Sequence, residues 1–444
     1  VSVKEKVTLT CAKGVAPILA AEVRALNIEV LEENVAAVVV SADLQDQMRL
    51  CLRLRTAHRV LVPLISCLAR SPDELTRRIR DFTWEDHFGP DGYIRIHGFV
   101  HNDEIRDQRF AFLTVKDAIM DRLRDKLGRR PDSGPSDHGA SVYIHWINED
   151  VTISLDLAGR PLSKRGYRSK AGEAPIQEAL AAAMLIAGGW PKDVPLCNPM
   201  GGSGTIAIEA AWLALNRAPG LLREHFGLFA LKRFEPALWK KERAAAEADA
   251  IPEWEVPLIF CSDHDREVID IAKDNARQAG VANLIQFEVS DFRESTVPEG
   301  GSWIAINPPY GLRLEEDDLS ALYKDIGHWL KGLNTGGQGL VITGNIPLSK
   351  RFGMKLAQKH ELHNGPLDCR LLGFELRKPE AKLEDKPEAK PEVEPEPKPE
   401  DMPEAKPEVE PEPKPEVLPE DKPAEDKPEV EPEDKPEVLP EAGA

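Results

Sequence analysis

The stretch Asn307-Pro308-Pro309-Tyr310-Gly311 constrains this 444-residue chain more than any other. It follows Ser302-Trp303-Ile304-Ala305-Ile306, a short apolar run rich in β-formers that predicts a buried strand. Two successive prolines neither extend a strand nor sit inside a helix, so the backbone must stop and turn there. A residue before proline is pushed extended, which holds Asn307 at the strand's end with its amide facing out. Ligands of open α/β sheets bind at that carboxyl edge. The Asn307 side chain and the Pro308 carbonyl are two acceptors suited to the two N–H groups of an exocyclic nucleobase amine. Gripping both would turn the delocalised lone pair toward an electrophile, with Tyr310 stacked on the base. The alternative is a plain loop with Tyr310 packed inside.

Three further strand ends precede this one. Val194-Pro195-Leu196-Cys197 runs into Asn198-Pro199-Met200-Gly201-Gly202-Ser203-Gly204-Thr205 and then a helix, Ile206 to Leu215. Glycines between strand and helix let a ligand approach backbone N–H groups and the helix N-terminus. No Lys precedes Thr205, so this is not a P-loop, nor is it a strict G-x-G-x-x-G. Leu258 to Asp263 is the next strand, ending in an acid placed to take ribose hydroxyls; Asp265 competes for that role or caps the following helix. Leu284 to Val289 is the third, and it leads to Asp291 and Phe292, an acid and a ring placed to meet an adenine. Glycine loop, acid, acid and N-P-P-Y in that order predict a nucleotide-type cofactor beside an amine substrate.

The earlier part of the chain reads as a small β-α-β piece over 1–46 and an arginine-dense α/β module over 47–157. In the latter a helix from Leu44 to Pro63 carries Arg49, Arg53, Arg55 and Arg59, and another from Phe112 to Leu127 carries Arg122 and Arg124. Such a module suits an RNA platform, or a solvated face balanced by acids. A connector over 158–189 holds the most basic run, Lys164-Arg165-Gly166-Tyr167-Arg168, where Lys164, Arg165, Tyr167 and Arg168 are candidates for RNA contact. Residues 190–378 predict a doubly wound sheet of about seven strands, with an insertion at about 221–254.

Charge sharpens this division. The formal net charge is −19, but residues 379–444 hold 24 Asp/Glu against 9 Lys/Arg, a net of −15 that leaves −4 for residues 1–378. The body is near neutral and can carry a local basic face. The tail contains 17 prolines and few large apolar side chains, so it predicts disorder with polyproline-II character. The six cysteines make no C-x-x-C pair and no zinc spacing, which predicts reduced thiols, a cytoplasmic protein and no metal. No apolar run approaches the ~20 residues a membrane helix needs, and no signal-peptide core opens the chain.

The catalytic half resembles class I S-adenosylmethionine-dependent RNA methyltransferases. Residues 1–378 resemble the THUMP-containing 23S ribosomal RNA guanine-N2 methyltransferases. The likeness rests on Lys164 to Arg168, Ala174-Pro175-Ile176-Gln177-Glu178, Asn198 to Thr205, Ser262-Asp263, Asn307 to Gly311 and Asn364-Gly365-Pro366-Leu367-Asp368-Cys369. It implies a ferredoxin-like piece and a THUMP RNA-binding domain before a Rossmann-like catalytic domain. It implies that Gly201, Gly204 and Asp263 hold S-adenosylmethionine, with Asn198, Ser203 and Thr205 in the same loop, and that Asn307, Pro308 and Tyr310 hold the guanine. The loop departs from the family twice, with Asn198 where Asp is usual and Gly202 where Cys is usual. Transfer RNA guanine, adenine N6, and a non-catalytic RNA-binding role remain as alternative readings.

Overall fold

A computed structural model describes residues 3–102, 105, 107–134, 139–168, 176–310 and 316–378. The acidic tail, Gly311 and the stretch holding Ala174-Pro175 lie outside the described residues.

Two sheets organise the body. The first has eight strands: β1 (Glu5–Cys11), β2 (Glu29–Asn34), β3 (Ala37–Ala42), β4 (Ala57–Leu68), β5 (Tyr93–His101), β6 (Asp132–Ser133), β7 (Ala140–Ile147) and β8 (Asp150–Asp156). Their order is β2-β3-β1-β4-β8-β7-β5-β6. The 12-residue β4 pairs with β1 through its first half and with β8 through its second, so a strand of the second expected N-terminal module joins the strands of both into one sheet. Pro63 cannot donate to a ladder, and the register shifts between Pro63 and Ile65, a bulge that accommodates it. The helix expected over Leu44 to Pro63 ends at Arg53 instead. Arg55 and Arg59 therefore leave the helix, because the residues from Ala57 onward are taken up by pairing with β1. Ser71 caps the helix Pro72–Asp81 by accepting from the Glu74 N–H (3.4 Å), with Pro72 in the first turn, as the sequence predicts.

The second sheet has seven strands: β9 (Leu196–Asn198), β10 (Ile259–Asp263), β11 (Ile285–Val289), β12 (Trp303–Ile306), β13 (Gln338–Thr343), β14 (Leu356–Asn364) and β15 (Leu367–Glu375). Their order is β11-β10-β9-β12-β13-β15-β14, with β9 to β13 parallel and β15 antiparallel to both its neighbours. Parallel neighbours need crossovers, and the helices Thr205–Ala214, Arg266–Ala279 and Glu316–Gly332 follow β9, β10 and β12. The strand order reverses at β9 and β12, where such folds open a crevice beyond the carboxyl ends. The chain is α/β, with an N-terminal eight-stranded α+β part followed by a doubly wound, Rossmann-like seven-stranded sheet.

Candidate active site

The glycine loop leaves β9 under tight steric control. A Cβ on Gly201 would lie 2.4 Å from Cys261 Sγ, so no larger residue fits between the loop and β10. Gly204 has φ +81° at the start of the helix Thr205–Ala214, a left-handed conformation that glycine adopts without strain. Asp263, at the end of β10, accepts the Gly202 N–H through Oδ2 (3.0 Å) and the Asp265 N–H through Oδ1 (3.2 Å). Its carboxylate thus braces the loop. The rival acid, Asp265, accepts from the Glu267 N–H (2.8 Å) and is the cap of the helix Arg266–Ala279. Asn275 on that helix donates to the Ser203 carbonyl (2.9 Å), and the Ser203 and Thr205 hydroxyls lie 3.4 Å apart.

Asn198 links this loop to the next strand. It is fully buried, and its Nδ2 donates to the Ala305 carbonyl on β12 (2.8 Å). Its Oδ1 is buried with no hydrogen-bond partner among the described residues. An unmatched buried acceptor is costly, and it fits a ligand that brings an N–H donor, such as an ammonium group. Asn307 follows two residues after Ala305. Its Oδ1 accepts from the Tyr310 hydroxyl. Pro308 is buried and Pro309 exposed. Tyr323 holds the turn from below: its hydroxyl lies 2.6 Å from Thr343 Oγ1 and 3.2 Å from the Pro309 carbonyl. Burial pushes the Tyr310 phenol well above its ordinary pKa, so it stays a donor at neutral pH. The neighbouring thiols of Cys197 and Cys261 are pushed up to about 12, by burial in both cases and also by the charge of Asp263 for Cys261. Neither thiol is a thiolate that could attack a substrate.

Two expectations need correction. Arg165 and Tyr167 were candidates for RNA contact, yet both are buried, at 1 % and 0 % exposure. The Arg165 guanidinium faces the carboxylate of Glu209 (3.3 Å) and donates to the Leu162 carbonyl (2.9 Å) and the Arg55 carbonyl. The Tyr167 hydroxyl donates to the same carboxylate (3.2 Å). Glu209 is the single charge inside the apolar helix Thr205–Ala214, and a buried carboxylate draws the nearest cation inward. That lone acid in an apolar helix was the signal in the sequence. Arg168 is also turned inward, donating to Thr205 Oγ1 (2.8 Å) and the Ile176 carbonyl (3.0 Å) and facing Glu178. Lys164 alone of the four is exposed. Phe292 was expected beside an adenine. It is nearly buried and packs edge-on against Trp329, with the Arg293 guanidinium over its face, which leaves little ring for a ligand. Asp291 is half-exposed and paired with Arg293 (2.9 Å).

Known proteins resemble this chain over most of its length. Residues 165–372 match an RMKL-like methyltransferase domain, 6–61 an RlmL ferredoxin-like domain and 69–156 a THUMP domain. A protein named ribosomal RNA large subunit methyltransferase K/L from Syntrophotalea carbinolica is 36% identical over 391 residues, covering 86% of this chain and 55% of that protein. A namesake from Pseudomonas putida is 35% identical over 394 residues, covering 86% of this chain and 54% of that protein. The chain thus spans about half the length of the curated relatives it matches. Among solved structures, a putative methyltransferase complexed with SAH superposes with a TM-score of 0.76 at 25% identity, over 86% of this chain and 100% of that one. A protein from Listeria monocytogenes described as a predicted N6-adenine-specific DNA methylase superposes with a TM-score of 0.73 at 30% identity, over 84% and 96%. On this fold, these matches and the glycine loop set beside an N-P-P-Y turn, the chain belongs to the family of THUMP-containing, RMKL-like methyltransferases.

Proposed function

We propose that this protein transfers a methyl group from S-adenosylmethionine to the exocyclic N2 amine of a guanine in large-subunit ribosomal RNA. The observation that carries the reading is the bond from Asn198 to the Ala305 carbonyl, which ties the end of the glycine loop's strand to the strand that presents Asn307. The glycine loop and the N-P-P-Y turn therefore leave adjacent strands, which supports reading them as the two halves of one site. Bound S-adenosylmethionine supplies an electrophilic methyl on a sulfonium. Asn198 Oδ1 would receive the donor's ammonium, the glycine loop its methionine portion, and Asp263 its ribose while still bracing Gly202.

Asn307 and the Pro308 carbonyl accept from the two amine hydrogens of the base. Asn307 Oδ1 is already held by the Tyr310 hydroxyl, so a bound base would take over that acceptor from the phenol. The ring of Tyr310 is then available to the face of the flipped base. Catalysis rests on alignment and on localising the lone pair, with no covalent enzyme intermediate. The names of the curated relatives favour ribosomal RNA. The description of the Listeria protein, and the suitability of N-P-P-Y for an adenine amine, support a second reading as an N6-adenine enzyme.

Mass spectrometry of nucleosides after reaction separates the two, since the first gives N2-methylguanosine and the second N6-methyladenosine. Undermodified 23S RNA and transfer RNA offered side by side identify the RNA class. Asn307→Ala should lower turnover by about a hundredfold or more with donor affinity kept. Normal methylation by that variant would remove Asn307 from the mechanism.

A further inference from the structure

Strand alternation divides the eight-stranded sheet into an apolar face under its helices and an open face of different chemistry. The registers Thr10↔Arg59, Thr8↔Leu61, Tyr143↔Ser154 and His145↔Thr152 put side chains from β1, β4, β7 and β8 together on the open face. They floor a cavity of about 1010 Å³ that Lys164 and Arg168 also line. The volume reaches the upper end of what small-molecule sites usually offer, roughly 300–1,000 Å³. Arg59 lies 5.3 Å from the centre of the Tyr143 ring and pairs with the buried Asp156. Exposed His145 stacks on Phe99, itself 45% exposed, with ring centres 6.2 Å apart. The floor and its margin thus mix hydroxyls, the Arg59 guanidinium, Leu61 and aromatic rings.

A second cavity, of about 470 Å³, shares Asn34 and Val35 with the first. Lys13, His363, Asp368 and Arg370 are among its walls. Asp368 in its wall neighbours Gly344, where a Cβ would meet the Asp368 carbonyl at 3.7 Å and the Tyr310 ring at 3.3 Å. In the wall of the first cavity, Arg168 donates to Thr205, at the start of the helix after the glycine loop. The two cavities therefore adjoin along Asn34 and Val35 as one trough over the N-terminal sheet, and each has a wall residue that touches a neighbour of the active-site loops.

We propose that this trough holds the single-stranded RNA that flanks the target base, with bases stacked on the exposed rings of His145 and Phe99. The proposal rests on the reading of the protein as an RNA methyltransferase. Ring faces serve splayed bases and not those already stacked in a duplex, which fixes the strandedness of the ligand. The obvious rival surface is the arginine-bearing helix Gln108–Leu127 and the residues after it. There Arg122 pairs with Glu85, Arg124 with Asp121, Arg129 with Asp91 and Arg130 with Asp117, which leaves little uncompensated charge for phosphates. The trough has its own pairs, Arg168 with Glu178 and Arg370 with Asp368, so its affinity for RNA comes from stacking more than from charge.

The test uses the full chain and a fluorescein-labelled 12-nucleotide single-stranded RNA of mixed sequence. The double variant Phe99→Ala/His145→Ala removes two exposed rings without opening the core. It should bind the RNA at least tenfold more weakly by anisotropy, because alanine in place of one stacking ring typically costs roughly fivefold to a hundredfold. Its affinity for S-adenosylmethionine by calorimetry should match the wild type. Ultraviolet crosslinking of the wild type should label the peptide holding Tyr143 and His145. Unchanged anisotropy in the double variant, or crosslinks on the helix Gln108–Leu127, would overturn the proposal. If RNA binds through the trough but no methylated nucleoside forms, the trough stands and the enzymatic reading fails. If methylation proceeds and the variant binds like the wild type, the enzymatic reading stands and the trough fails.

Discussion

Replacing Arg165 by Met should destabilise this protein severely, and the structure gives both the size and the pH dependence. Arg165 and Glu209 are 1 % and 0 % exposed, and the side chains meet at 3.3 and 3.4 Å. Burial pushes the Glu209 carboxyl above its usual range, and the Arg165 charge offsets this only in part. Met fills much of the arginine's volume but leaves the carboxylate with the Tyr167 hydroxyl as its remaining side-chain donor, and leaves the Leu162 and Arg55 carbonyls unmatched. Breaking one half of a buried pair costs about 3–5 kcal/mol. At about 2 °C per kcal/mol for a domain of this size, the melting temperature should fall by about 6–10 °C.

The loss should grow with pH. Without Arg165 the Glu209 pKa climbs further, so the folded variant holds a proton that the unfolded chain releases near its ordinary pKa of ~4.3. A folded-state pKa raised above the unfolded value means stability falls as pH rises through the interval between the two. The deficit should therefore be larger at pH 8 than at pH 5.5. Urea denaturation of the wild type, Arg165→Met and Arg165→Met/Glu209→Leu at both values measures it. The double variant removes both charges and should recover most of the loss. A single variant within about 0.5 kcal/mol of the wild type, or a deficit that ignores pH, would refute the argument that this pair is a buried ionic contact.

Three shorter predictions follow from the site. Gly201→Ala pushes a methyl group to 2.4 Å from Cys261 Sγ, so it should displace the loop and weaken S-adenosylmethionine binding in calorimetry while the protein still folds. Asn198→Ala removes the unpartnered acceptor and should weaken the same binding by about tenfold, the worth of one hydrogen bond to a charged donor. Tyr310→Phe keeps the ring and frees Asn307 Oδ1, so turnover should persist, whereas Tyr310→Ala should raise the KM for RNA through loss of stacking, roughly tenfold.

The catalytic sheet was legible where its strands are buried. Leu340, Val341 and Ile342 on β13, or Ile304 to Ile306 on β12, are apolar runs bounded by glycine or proline, and a run buried on both faces needs no partner to be recognised. The strands that escaped are at edges. Most residues of β2 are exposed, and Glu29, Glu32 and Glu33 give it no apolar alternation. β14 is only partly exposed, but Lys359, His360 and Glu361 in succession likewise give it no apolar alternation. At an edge, pairing with β3 or β15 makes the strand, and local composition says little about a partner elsewhere in the chain.

By itself the sequence determined the order of the strand ends, the stop at Pro308-Pro309 and the glycines that bend the loop, because each follows from steric limits within a few residues. Only the tertiary structure decided where the charges of Lys164 to Arg168 go. A guanidinium beside solvent and one beside a carboxylate 44 residues away read alike in one dimension. The desolvation of Glu209, which arises only when the helix packs, is what draws Arg165 inside.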